Sequence, residues 1–597
     1  MKKITTYICA AAIVMAATSC SDFLDVTNES SVSPSNFPKS LAQVDLLLNS
    51  AYAGSHGQGL YAFYWYPNII YLLDKTSDNY SNYDDRSNTL NNNANTDNQY
   101  LTKAYADIMN WIQYANSAIE GCDSYAPIAS SNEEETLASM KGQALFLRAL
   151  AYWHAQIFFE LESKPDALGF PIIEHVPSDI AQMMPPRASA TDTWQFVIDT
   201  LLDAIPLLKG QTDKTRVTYW AAKGLLAKVY MQARRPNEAI PILEDIIKNS
   251  GAKLLDFDTY ANSFYADEKH EFNAETLYEI DMTMNAKQNG PWAGFTTGSA
   301  MQMVFGPWSM NLDFRFKQPA QGNEITTQST GAWGNNYVHD GNIARFGFPL
   351  GLPGSRVINP DFNSRQPRSI DNLPWILDPD YASKSREVRE NKTVDPRMFI
   401  ACAQPYFDTM KDPRGRDTYY DRSPEALEFF NDHYYWSLKK FTNREGTEAA
   451  LNYSSGANFP IIRLADIYLL YAEAIRQSNP SSALEYVNKV HRRAYGAPVD
   501  VPSQYDYTSL TDRTKALDPN DPLANDPIKY ERWAELFGEG QWWIDIRRYE
   551  ILDKEMEYYR ETQYGKLNYL GERCYAQPIP LTEIERYNYT IKQNYNY

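Results

Sequence analysis

Apolar residues recur every three or four positions in several long stretches of this chain, the spacing of amphipathic helices. The stretch "SLAQVDLLLNSAYAG" (40–54) places Leu41, Val44, Leu48 and Ala51 on one face. "YLTKAYADIMNWIQYANSAIEGC" (100–122) does the same with Ala104, Ile108, Trp111, Ala115 and Ile119. "KGQALFLRALAYWHAQIFFEL" (141–161) predicts a long, strongly apolar helix that ends before the Gly-Pro punctuated "LGFPIIEHVP" (168–177). Residues 219–250 predict a helix pair around a turn at Arg235-Pro236, with Ala227, Tyr230, Ala239 and Leu243 near the packing positions of a tetratricopeptide repeat. Residues 463–494 repeat that design around "SNPSS", with Leu470, Ala483 and Val487. Such pairs bury their apolar faces only by stacking on one another. The expected fold is therefore mostly α, a tetratricopeptide-like helical-repeat framework.

The pattern breaks in two places. Residues 286–396 are rich in Gly, Asn, Thr and aromatics and carry no long periodic segment. "SDNYSNYDDRSNTLNNNANTDNQY" (77–100) is polar and Asn-rich between two helix candidates. Both read as long loops, well beyond the usual ~4–6 residues. Long loops on a rigid scaffold are where binding groups tend to sit. The chain is thus divided into a leader (1–19), a helical-repeat part (20–250), a loop-rich ligand-binding region (251–458) and a C-terminal helical part (459–597).

The leader has its own signature. Lys2 and Lys3 precede an apolar stretch from Ile4 to Ala17, too short for the ~20 apolar residues of a spanning helix. It has the layout of a secretory signal peptide. Cys20 follows Ala17-Thr18-Ser19, an arrangement that resembles the lipobox of bacterial lipoproteins, with Ala17 where leucine is usual. Cys20 therefore reads as a lipidation site and membrane anchor, each buried methylene of an acyl chain contributing ~0.8 kcal/mol.

Composition then excludes several functions. With 75 acidic against 56 basic residues the net charge is −19, which argues against a nucleic-acid partner. Cys122, Cys402 and Cys574, left after the leader and anchor, are odd in number and far apart, so no disulfide framework is expected. The seven histidines are scattered and no H-E-x-x-H occurs, so no metal site and no cofactor are expected. No G-x-S-x-G elbow, P-loop or dinucleotide turn is present.

Several segments carry a family likeness. "CSDFLD" (20–25), "RALAYWHAQIFFELESKPDALGFPII" (148–173), "AAKGLLAKVYM" (221–231), "FPIIRLADIYLLYAEA" (459–474), "ALEYVNKVHRRAYG" (483–496), "IKYERWAELFGEGQWWIDIRRY" (528–549) and "QPIPLTEIERYN" (577–588) occur in one order along the chain. Together they resemble the RagB/SusD family of outer-membrane nutrient-binding lipoproteins. That resemblance implies four tetratricopeptide-like helix pairs beneath a variable ligand-binding face, and a role capping a SusC-type TonB-dependent barrel at the cell exterior.

Two chemistries compete for the remaining residues. Glu531, Glu535 and Glu539 lie one helical turn apart, and paired carboxylates are the apparatus of glycoside hydrolysis. Arg532, Arg547 and Arg548 stand close in sequence as partners, and the preferred reading is a charge network that fixes the C-terminal helices. Binding rests on the loop aromatics, of which the chain has an ample pool among its 43 Tyr, 25 Phe and 13 Trp. Sugar rings have apolar C–H faces that pack on the faces of Trp and Tyr. The candidate ligand-binding residues are Tyr80, Tyr83 and Arg86 in the first loop, and Trp292, Trp308, Trp333 and Tyr337 in the second. Trp542 and Trp543 are assigned to the core. The expected function is capture of an oligosaccharide without cleavage and its delivery to the barrel. A peptide-binding member of the same family, an all-helical glycoside hydrolase and a protein-binding scaffold are the rivals.

Overall fold

The computed structural model describes residues 37–63, 66–79, 89, 92–161, 167–265, 269–283, 297–306, 336–351, 356–366, 372, 375–411, 417–419, 436–442, 454–559, 561–562, 565–594 and 597. Its longer N-terminal helices are α1 (Leu41–Ala53), α2 (Gln99–Tyr125), α3 (Glu134–Phe159), α4 (Ala190–Leu207), α5 (Tyr219–Gln232) and α6 (Pro236–Asn249). They are followed by α7 (Pro379–Glu390), α8 (Leu464–Ile475), α9 (Pro480–Ala494), α10 (Pro527–Glu535) and α11 (Trp542–Tyr549).

The periodicity translates directly into burial. Val44, Leu48 and Ala51 of α1 are buried, as are Ala104, Ile108, Trp111, Ala115 and Ile119 of α2. Helix starts are set by side-chain caps: Ser40 accepts from Gln43 N, Asn98 from Tyr100 and Leu101 N, and Thr218 from Ala221 N. Helix α3 is buried on every face from Gly142 to Phe159, so it forms the centre of the N-terminal core.

Each helix packs on the next: α1 on α2, α2 on α3, α3 on α4, α4 on α5, α5 on α6, α6 on α8, and α8 on α9. That nearest-neighbour order is a helical-repeat stack. The two helix pairs predicted from sequence, α5–α6 and α8–α9, are therefore adjacent although more than 200 residues separate them. Tyr471 on α8 donates to Glu244 on α6 at 2.6 Å across this junction.

Four short strands join distant parts of the chain: β1 (Ser77–Asn79), β2 (Thr276–Ile280), β3 (Asn336–Val338) and β4 (Phe459–Arg463). β2 and β4 pair antiparallel, with register shifts at Ile462. They lie against α5, where a Cβ on Gly224 would come 2.7 Å from Ile462 Cγ2.

The loop-rich expectation for 286–396 is corrected at α7, a twelve-residue helix with only Ser385 buried. It has no apolar face to reveal it; its signals are the Asp378 cap, which accepts from Tyr381 N, and Pro379 in the first turn. Helix α4 also lies outside the helices expected from sequence. Trp542 and Trp543 are core residues as expected, 3% and 0% exposed. Cys122, Cys402 and Cys574 are free and buried.

Candidate ligand-binding face

Strands β1 and β3 pair antiparallel, Ser77 opposite Val338, Asp78 opposite Tyr337 and Asn79 opposite Asn336. No pattern in the sequence joins these segments, which lie some 260 residues apart. The ladder links the two stretches in which ligand-binding residues were expected. Residues 80–88 follow Asn79, and residues 307–335 precede Asn336 at the same end of the ladder. A third segment is tied in, because Val338 N donates to the carbonyl of Trp436 at 2.8 Å, directly after residues 420–435.

The ladder is fastened to the body by a chain of buried polar groups. The Asn342 amide donates to the carbonyls of Lys75 and Thr76 at 2.9 and 3.0 Å. Its oxygen accepts from Tyr559 at 2.5 Å, and the Tyr559 hydroxyl accepts from Arg345 at 3.0 Å. Arg345 is fully buried and held by Asp521 at 2.8 Å and Glu555 at 3.0 Å. On the other side Lys75 Nζ donates to Asn92 Oδ1. Asp74 lies just ahead of β1, 1% exposed; its Oδ1 accepts from Thr76 N at 2.9 Å, and among the described residues its Oδ2 has no partner. Burial pushes this carboxyl up to about 7.

Of the residues expected to bind ligand, Tyr337 is in β3 and 3% exposed, packed into this base. Tyr80, Tyr83, Arg86, Trp292, Trp308 and Trp333 lie outside the described residues, as does Cys20. Two asparagines of the Asn-rich stretch serve the fold: Asn92 receives the Lys75 bond and Asn98 caps α2, both with 0% exposure. Residues 284–296, with Trp292, are spanned by a different closure. Thr283 N donates to Thr297 O at 2.7 Å, and both threonines line a cleft of about 550 Å³ with Tyr52, His56, Arg216 and Asp281.

The carboxylates that suggested hydrolysis are not placed for it. Glu531 and Glu535, on consecutive turns of α10, are 0% exposed. Glu531 takes two bonds from Arg397 at 2.7 and 3.0 Å, one from Tyr507 at 3.1 Å, and His491 Nδ1 lies 2.8 Å away. Glu535 pairs with Arg463 at 2.6 Å and with Arg493. Glu539, beyond the helix end, pairs with Arg463 and Lys440, each at 2.8 Å. The guanidinium groups more than offset burial, holding Glu531 down at about 2 and Glu535 well below the usual carboxylate range. A hydrolytic acid needs the opposite shift.

The charge network is real, but its partners differ from those expected. Arg532 bonds Asp466 at 2.9 Å and Asp545 at 2.8 Å. Arg547 bonds Glu160, and Arg548 bonds Glu473 at 2.8 Å. Within α11 Arg548 also reaches Asp545 at 2.9 Å, and the other partners come from neighbouring elements. Lys228 of α5 also reaches Asp466 at 2.6 Å, so this second network ties α5, α8, α10 and α11 together. Among the described residues no group of His, Cys, Asp and Glu is arranged to hold a metal, and no helix is long and apolar enough to cross a membrane.

A family model described as the SusD family matches residues 297–597, half of the chain. The chain belongs to the SusD family. A second model, described as starch-binding associating with outer membrane, matches residues 22–231. The SusD-like protein P25 of Formosa agariphila is 22% identical over 598 residues, covering 96% of this chain and 95% of that protein. Among solved structures, surface glycan-binding protein A from Bacteroides thetaiotaomicron, in complex with laminarihexaose, aligns with a TM-score of 0.59 at 18% identity, covering 93% of this chain and 99% of its own. The protein of the same name from Bacteroides fluxus aligns with a TM-score of 0.60 at 19% identity, covering 94% and 100%. These likenesses establish the SusD fold.

Proposed function

We propose that this SusD-family protein is a lipid-anchored protein of the outer membrane that captures an oligosaccharide at the cell exterior. It passes the glycan uncleaved to a SusC-type TonB-dependent barrel. The observation that carries the reading is the β1–β3 ladder, from one end of which the two candidate aromatic segments depart. A sugar needs flat apolar rings and hydrogen-bonding groups brought together from distant parts of the chain, on a base that does not have to be ordered at the moment of binding. Two structural relatives, both named surface glycan-binding proteins, support the same class of ligand. The buried, ion-paired state of Glu531 and Glu535 favours binding over hydrolysis. Cys20 is the proposed anchor.

Single replacement by alanine of Tyr83, Trp308 and Trp333 tests the face. A cognate oligosaccharide is expected to bind at least tenfold more weakly to two or more of these variants, with the helical circular dichroism unchanged. Unchanged affinity in all three removes the ladder face from the binding site.

A further inference from the structure

We infer that the cleft between the end of α1 and strand β2 is a second saccharide-binding site, which takes a neutral sugar unit. Its volume, about 550 Å³, falls within the range of small-molecule sites, roughly 300–1,000 Å³. Its walls come from α1, the segment just ahead of α5, and β2. None of these belongs to the β1–β3 ladder.

The polar groups in the cleft are fixed before any ligand arrives. Tyr52 is held through its hydroxyl, which donates to Gln143 Oε1 and accepts from Val217 N, both at 2.8 Å. The Arg216 guanidinium lies over the Tyr52 ring at 4.9 Å, with Asp45 at 3.5 Å. It carries five N–H donors, more than these contacts use. His56 Nε2 is 2.6 Å from the Asp281 carbonyl, which only accepts, so the proton sits on Nε2. Nδ1 lies 3.2 Å from Ser55 Oγ, whose hydroxyl donates to the Tyr52 carbonyl at 3.0 Å.

Asp281 is exposed one residue past β2, and among the described residues its carboxylate has no ion-pair partner. Glu279 also lines the cleft, but its carboxylate is used internally by Thr276, Asn458 and the Phe272 amide at 2.6, 3.0 and 3.1 Å. The cleft thus presents a guanidinium that Asp45 partly balances and, at Asp281, a carboxylate without an ion-pair partner among the described residues, and the two are not paired with each other. A cationic ligand would meet Arg216, and an anionic one would meet Asp281. Adjacent sugar hydroxyls fit both, since each hydroxyl donates and accepts. Preordering of Arg216 and His56 lowers the entropic cost of binding.

The test is calorimetric titration of residues 21–597 with laminarihexaose, maltoheptaose and xylohexaose, alongside hexagalacturonate and a tryptic peptide mixture. The wild type, Arg216→Ala, the isosteric Asp281→Asn, and Trp308→Ala are compared, with circular dichroism as the folding control. For at least one neutral glycan a binding phase is expected that both cleft variants weaken tenfold or more and that Trp308→Ala leaves in place. The inference is overturned if neither cleft variant changes the binding of any neutral glycan. It is also overturned if no neutral glycan binds, or if only the galacturonate or the peptides respond to the cleft variants. Loss of binding in Trp308→Ala alone would overturn the cleft while leaving the ladder face standing.

Discussion

Asp74 is a carboxylic acid whose chemistry departs from its type. Its carboxyl, with an ordinary value of 3.8, sits at about 7 because burial penalises the ion. The folded state therefore holds this proton more tightly than the unfolded chain, and its ionisation costs stability as the pH rises from about 4 to 7. Asp74→Asn removes that cost. The variant is expected to match the wild type below pH 4 and to exceed it at pH 8 by roughly 4 kcal/mol at most, at 1.36 kcal/mol per unit. Denaturant midpoints measured across that range check it, and a variant no more stable at pH 8 contradicts it. Glu531 carries the opposite sign. Its depressed value means that its contribution is present above pH ~4.5 and is lost as the pH falls toward 2. Arg397→Met strips Glu531 of its bidentate partner in the dry interior. Breaking a buried pair costs about 3–5 kcal/mol, so a marked fall in the urea midpoint is expected, and a change within error would count against the network as a structural element.

Among the elements, the framework helices other than α4 were legible because 3.6-residue periodicity survives in them. Val44, Leu48 and Ala51, or Ala104, Ile108 and Trp111, need only a face to be recognised. Helix α7 was not legible by that criterion, since it buries only Ser385 and packs Tyr381 and Val388 only partly, although its Asp-Pro start was written in the sequence. The candidate site was legible only as composition. Aromatic loops marked the regions, but "SDN" and "NYV" are too short to show alternation, and nothing local predicts that they pair. The ladder depends on a buried amide, Asn342, rather than on strand length. Asn342→Ala should speed hydrogen exchange at residues 77–79 and 336–338 by an order of magnitude or more while α3 and α5 stay protected, as expected of a local opening. Uniform loss of protection would mean that Asn342 holds the whole fold. Gly224 tests the packing of α5 on β4. Gly224→Ala drives a methyl into Ile462 and should cost about 1–3 kcal/mol, read as a drop in thermal midpoint.

At the scale of the molecule, two requirements are met by different parts of the chain. Stacked helix pairs and dry ion-pair networks give rigidity, with Lys228, Asp466, Arg532 and Asp545 linking N- and C-terminal repeats. The β1–β3 ladder, anchored through Asn342 and Arg345, supplies a base from which the candidate binding segments depart. The most direct measurement is a tryptophan-fluorescence titration of residues 21–597 with a panel of plant, host and microbial oligosaccharides, each mixture then checked by chromatography. A saturable shift with one glycan class, and that glycan recovered intact, is the expected result. Binding of peptides but no glycan, or recovery of cleaved sugar, would contradict the claim that this protein captures an oligosaccharide without cutting it.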